Sequence, residues 1–284
     1  MRWQNRRQST NIEDRRRVPA AGIALGGGGM IVVAVLALLF GANPQDVLQQ
    51  ITGGTTSAPG TTAEQPVNPH QEELKQFCSV VLADTEDVWT KLFAEQGRQY
   101  EYPTLVFFTG QVESACGFAS AAVGPFYCPG DQNLYLDLSF LDELGTRFGA
   151  TGDFPGAYVI AHEVGHHVQN QLGTMDKVNA RRSGASEDQA NELSVRLELQ
   201  ADFYAGVWAH YEQQTLGVLE PGDIEEALSA ASAIGDDRLQ MQAQGYIVPD
   251  SFTHGTSEQR ARWFRLGYDS GDINKGDTFS AKKL

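Results

Sequence analysis

The chain has 284 residues, enough for one or two domains with a proper core, and its 41% hydrophobic and 10% aromatic content suits a globular protein. The formal net charge is −15 and the isoelectric point about 4.7. Residues 1–17 carry six Arg against two acids, which leaves −19 for the rest, and so acidic a body excludes the basic face that nucleic-acid binding needs.

Residues 1–19 read as a polar, Arg-rich tip ending in Arg15-Arg16-Arg17 and Val18-Pro19. No charge occurs from Val18 to Gln45, and within that gap residues 20–41 are apolar or glycine, about the 20 residues needed to span a bilayer. The Gly26–Gly29 run weakens this segment as a helix, although glycine is tolerated in membrane helices. A cleaved signal peptide is the alternative. It would want a small-x-small site, for which Gly41-Ala42-Asn43 is poor, so an uncleaved anchor is expected. The positive-inside rule then makes this a single-pass protein of the cell membrane, with the N-terminus cytoplasmic and the body extracytoplasmic. Residues 42–69, rich in Thr, Gly, Pro, Ala and Gln, read as a flexible linker, and residues 70–284 as the folded domain. His70, at the junction, is expected to be solvated.

The domain opens with helical periodicity from Glu72 to Phe93. Leu105–Phe108 reads as a strand. Phe126–Cys128 and Leu134–Leu138 read as strands around a Pro129-Gly130-Asp131 turn, followed by a short helix from Ser139 to Phe148. The next helix carries Pro155 near its start, Ala161, Val164, Val168 and Leu172 at helical spacing, and Gly173 as its stop. Gly173 to Gly184 is polar and expected to be loop. Ser186 with Gln189, and Thr256 with Gln259, have capping-box spacing and open two further helices, the first running to about Gln213. A stripe of Ala201, Ala205 and Ala209 would let that helix approach another closely. A third begins at Pro221-Gly222-Asp223, Ile247–Pro249 is expected to be extended, and the chain from Gly271 onward to fray. Three Cys leave at least one unpaired or in an intermolecular bond; Cys116–Cys128 is the favoured bridge, with other pairings or none as alternatives. No structural-zinc spacing involves them.

The helix after Pro155 carries His162-Glu163-Val164-Gly165-His166. Positions i and i+4 lie on one helical face, so two imidazoles there can grip one metal ion while the adjacent Glu acts on a water. Hydrolytic zinc commonly takes three protein ligands, and Glu198 is the best source of the third. Asp202, one turn further on the same face, is placed to accept a hydrogen bond from a ligand imidazole and fix its orientation. The bland alternative for Glu198 is an exposed acidic face, a role that suits Glu192 beside Arg196. His167, about 100° round the helix, should point elsewhere, and His210 falls among apolar residues. His254 sits in a loop before a capped helix, where it could donate to an oxyanion.

The pattern His162-Glu163-x-x-His166 with Glu198-x-x-x-Asp202 resembles the ligand grammar of gluzincin metallopeptidases. A closer resemblance is to the bacterial neutral zinc metallopeptidases. It covers about Gln71 to Tyr268 and is carried by Phe126–Pro129, Tyr135–Asp137, Ala161–Gln169, Glu198–Asp202, Ala233–Asp237 and Ser251–Arg260. The resemblance implies an α+β, zincin-like domain, mainly helical, with a small sheet over the active-site helix and one N-terminal transmembrane helix. It also implies that His254 is a transition-state stabiliser.

The function expected is therefore a membrane-anchored zinc metalloendopeptidase that binds one Zn2+ per chain and acts on a peptide or protein substrate, with Glu163 as general base. A strand near Leu134–Leu138 could pair with extended substrate. Two alternatives stand beside it: a zinc-binding interaction module without peptidase activity, and a zinc hydrolase of a non-peptide amide. An intact Glu163 argues against the first, because a binding module needs no base.

Overall fold

Leu105-Val106-Phe107-Phe108 is apolar at every position, as a strand buried on both faces requires. The computed structural model, which describes residues 1–16, 68–121, 124–147 and 149–284, places it in strand β2 (Thr104–Phe108) of a four-stranded sheet. The order is β1-β2-β6-β5: β1 (Ile12–Asp14) and β6 (Asn133–Asp137) flank β2 in parallel, and β5 (Phe126–Cys128) runs antiparallel to β6 across the expected turn. Leu105, Phe107, Leu134 and Leu136 face the main core with the helices, whereas Val106, Phe108 and Tyr135 face a smaller cluster. The hairpin of β3 (Gln111–Ser114) and β4 (Gly117–Ser120) closes that cluster through Val112 and Ala119. The expectation that β6 offers an edge to substrate does not hold, because both its edges are paired; among the described strands the sheet's outer strands are β1 and β5.

The helices are α1 (Pro69–Glu95), α2 (Ser139–Thr146), α3 (Phe154–Gln171), α4 (Thr174–Arg182), α5 (Glu187–Leu216), α6 (Asp223–Ala233), α7 (Asp236–Gln244) and α8 (Ser257–Ser270). Pro155 lies in the first turn of α3, and both capping boxes form, Ser186 with Gln189 and Thr256 with Gln259. Three local expectations are corrected. Gly173–Gly184 contains α4, whose single fully buried residue, Val178, is too faint an apolar signal to reveal a helix. Ile247–Pro249 is corrected at Pro249 alone, which opens a 3-10 turn (Pro249–Ser251), while Val248 before it has φ −124° and ψ 89°. The tail does not fray: Thr278 is fully buried, its hydroxyl donates to the Arg196 carbonyl at 2.6 Å, and Gln200 Nε2 donates to the Gly276 carbonyl at 2.7 Å.

Two close crossings fix the three helices that carry the candidate site. A Cβ on Gly165 of α3 would lie 2.9 Å from the Ala201 carbonyl oxygen of α5, so the backbones meet where the alanine stripe begins. Gly206 of α5 and Gly267 of α8 form a reciprocal contact; a Cβ on either would collide with the other helix's backbone, at Phe264 and Phe203 respectively. Gly165→Ala is therefore expected to push α3 away from α5, with an overpacking cost of about 1–3 kcal/mol. Thermal melting should fall and metal retention weaken; a variant that keeps both would show the crossing to be compliant.

Residues 1–16 pack onto the body. Met1 and Trp3 are buried in the main core, with Trp3 edge-on to Phe77 of α1 at 5.6 Å. β1 completes the sheet, and the Ser9 amide donates to the Ser79 carbonyl at 2.9 Å. The arginines meet acids that the body would otherwise bury alone. Arg6 reaches Asp84 at 2.8 Å and Glu212 at 3.2 Å, and Arg7 reaches Glu86 at 3.0 Å. No helix among the described residues is long and apolar enough to cross a membrane; residues 20–41 and almost all of the linker lie outside them.

Candidate metal centre

Helix α3 presents His162 and His166 one turn apart, and α5, held close by the Gly165 crossing, brings Glu198 to face them. His162 Nε2 lies 3.2 Å from Glu198 Oε2, and His166 Nε2 lies 3.3 Å from Glu198 Oε1. The three side chains offer ligand atoms all within 4.8 Å of one another, a grouping that can hold a metal ion. Ligands about 2.0–2.1 Å from a tetrahedral zinc are separated by about 3.3–3.4 Å, so both contacts have the length of such an edge.

Each imidazole is oriented from behind. His162 Nδ1 lies 2.8 Å from Asp202 Oδ1, and His166 Nδ1 lies 2.9 Å from Gln169 Oε1. Gln169 is itself pinned, its amide nitrogen donating to the Leu197 carbonyl at 2.7 Å and to Gln200 Oε1 at 3.1 Å. With both Nδ1–H groups donated rearward, both Nε2 lone pairs turn toward the Glu198 carboxylate. Lone pairs aimed at an anion repel it unless a cation or a proton lies between them, so the donor set fits a metal ion. The electrostatics agree: burial opposes charge on His162, but Asp202 and Glu198 outweigh it and lift its pKa to about 10. Burial likewise opposes ionisation of Glu198, yet the facing imidazoles hold its pKa well below the usual carboxylate range.

Asp202 is fully buried and has a second partner that sequence reasoning missed. Arg260 of α8 grips it through Nε at 2.8 Å to Oδ2 and Nη2 at 3.0 Å to Oδ1, and Tyr158 Oη donates to Oδ1 at 2.5 Å. His254 joins the same cleft from the loop before α8. Its Nδ1 lies 3.2 Å from Asp236 Oδ1, and Asp236 Oδ2 accepts the backbone amides of Thr253, His254 and Gly255 at 2.6–3.0 Å. Asp236 thus fixes both the loop and the ring.

Glu163, half-buried, shares with these groups the wall of a cleft of about 380 Å³. Phe118, Phe126, Phe140, Met175, Leu197 and Leu239 make the rest of the lining largely apolar. Of the predicted site residues, His162, Glu163, His166, Glu198 and His254 line this one cleft, and Asp202 stands behind it. His167 does point elsewhere, to Tyr127 Oη at 3.0 Å and the Glu101 carbonyl at 2.7 Å. The Cys116–Cys128 disulfide is present, tying the β3–β4 turn to β5 beside the cleft, and Cys78 is buried and free.

The sequence model of the family described as "Putative neutral zinc metallopeptidase" matches residues 1–279. The chain belongs to this family. Among its curated relatives is "Uncharacterized protein YpfJ" of Escherichia coli (strain K12), 48% identical over 98% of this chain and 99% of that protein. Another is "Uncharacterized protein Rv2575" of Mycobacterium tuberculosis (strain ATCC 25618 / H37Rv), 43% identical over 87% of this chain and 86% of that protein. No solved structure matches.

The family name implies zinc for the three-ligand cluster. Glu198→Ala is expected to remove most metal retention, and Asp202→Asn to weaken it by about 10–100-fold through loss of the charged acceptor behind His162. Equilibrium dialysis against a zinc indicator measures both; unchanged zinc content in Glu198→Ala would strike it from the ligand set. Gln169, Asp236 and Arg260 had a partial sequence signal, since all three lie in the stretches that carry the family resemblance, but their partners are set by the fold.

Proposed function

We propose that this chain is a zinc-dependent endopeptidase, holding one zinc ion through His162 Nε2, His166 Nε2 and the Glu198 carboxylate. The observation that carries the reading is the convergence of those three groups on the wall of a cleft that also presents Glu163 and His254. A zinc ion bound there would supply Lewis acidity, making a water easier to deprotonate and a peptide carbonyl easier to attack. The Glu163 carboxylate takes the proton of the attacking water and delivers it to the leaving amine. His254, with Nδ1 turned to Asp236, donates from Nε2 to the developing oxyanion. Asp202 and Gln169 keep the two ligand imidazoles in the tautomer that points Nε2 forward.

The outer edge of β5, not β6, is where an extended peptide adds, because Phe126 and Tyr127 line the cleft and among the described strands β5 pairs with β6 alone. The apolar lining favours bulky apolar side chains beside the scissile bond. The Cys116–Cys128 bond supports placing the body outside the cytoplasm, in an oxidising compartment, and the uncharged run 20–41 supports attachment to a membrane.

A peptide-library cleavage assay on the full chain, with and without chelator, tests the activity. Cleavage next to large apolar residues, abolished by chelator and restored by Zn2+, is the expected result. A zinc-loaded chain that cuts no peptide across a broad library would sink the peptidase reading in favour of a zinc-binding module or a non-peptide amidase.

A further inference from the structure

The described residues on either side of the apolar run lie together. Arg16 is the last described residue before it, and Asn68 the first after it. Arg16 Nη2 lies 2.7 Å from Glu72 Oε1 and 2.6 Å from Asp14 Oδ2, while Lys75 Nζ lies 2.9 Å from the same Asp14 oxygen. The chain therefore leaves the body and re-enters it beside one four-charge cluster, on the first turns of α1.

Residues 1–16 upstream of that cluster are an integral part of the domain. Removing them would strip β1 from the sheet, expose Trp3 and Met1, and leave Asp84, Glu86 and Glu212 without their arginines, each carboxylate 5% exposed or less. Buried carboxylates deprived of a partner are strongly destabilising. A single membrane crossing by residues 20–41 would set residues 1–16 and 68–284 on opposite sides of a hydrocarbon layer about 30 Å thick. Contacts of 2.6–3.2 Å cannot bridge it. Nor is the run long enough for two helical crossings, which need about 20 apolar residues each.

We propose that the first sixteen residues and the catalytic body lie on the same side of the membrane. The positive-inside rule, which would hold the Arg-rich tip in the cytoplasm while the body is exported, fails here for a physical reason. Two of the arginines that the rule counts, Arg6 and Arg7, neutralise the body's own buried acids, and Arg16 reaches Glu72 of α1. The inference rests on the packing of residues 1–16 and is independent of whether the cleft cuts peptides.

The test uses the full-length chain in bacterial spheroplasts and a membrane-impermeant maleimide. Thr10→Cys and Gln8→Cys report the tip, and Ser183→Cys reports the body; all three positions are exposed. Unaltered chain is the background, since Cys78 is buried and Cys116 and Cys128 are bonded. The expected result is that tip and body label together in intact spheroplasts, with labelled fractions in a ratio of about one. Labelling of both only after lysis supports the shared side equally, while removing the extracytoplasmic location. Two tip positions that stay protected until lysis, while Ser183→Cys labels at once, would overturn the proposal, as would the reverse pattern.

Discussion

Glu163→Gln is expected to leave zinc content and thermal stability near those of the unaltered chain while peptide hydrolysis falls by about 10²–10⁴-fold, the usual contribution of a positioned proton-transfer group. The separation of effects follows from position. Glu163 sits beside His162 in sequence but is not among the groups that converge on the candidate metal position, where the contacts of 3.2–3.3 Å join the two imidazoles to Glu198. It is half-buried on the cleft wall, so an amide of the same size fits without a new void or a stranded charge. What the amide lacks is a lone pair basic enough to take a proton from water. The measurement pairs zinc stoichiometry and a melting curve with the rate on a verified peptide substrate. Wild-type rates in Glu163→Gln would remove the base from the proposed mechanism, and loss of zinc in that variant would reassign Glu163 to the ligand set.

The site was legible where its logic is local. Four-residue spacing on a helix puts His162 with His166, and Glu198 with Asp202, on shared faces, and both pairs meet because Gly165 and Ala201 let α3 and α5 touch. Capping boxes announced α5 and α8 for the same reason, since a cap is satisfied within a few residues. What stayed hidden is bonded across the fold. Arg260 lies 58 residues from Asp202, and Arg6 lies 206 residues from Glu212. Nothing near Arg6 in sequence distinguishes an arginine that neutralises a buried acid from one that is solvated. The same holds for β1, a three-residue strand whose Ile12-Glu13-Asp14 has too few apolar positions to show alternation. The paired state of β6 was missed because a strand's neighbours are set by topology, not by its own residues.

Arg260→Met is expected to be the most destabilising single change near the site, costing about 3–5 kcal/mol. Asp202 has no exposed surface, and Arg260 supplies it with a permanent positive charge, held in a two-pronged contact at 2.8 and 3.0 Å. Methionine fills much of the arginine stem's volume, so the loss comes from the stranded carboxylate rather than from a cavity. The double variant Arg260→Met with Asp202→Asn separates the two duties of this pair. With no buried charge left over, most of the lost stability should return, because replacing both partners of a buried pair is often nearly neutral. Zinc retention should not return, because His162 Nδ1 then faces a neutral amide in place of a carboxylate, a change worth about 10–100-fold in metal affinity. Arg260→Lys should fall between: it keeps the charge but loses the fork that binds both Asp202 oxygens. Melting curves in chelator isolate the folding term, and zinc competition isolates the metal term. If Arg260→Met melts like the unaltered chain in chelator, Asp202 does not depend on this guanidinium. If the double variant regains both stability and zinc affinity, the carboxylate behind His162 does not tune the ligand.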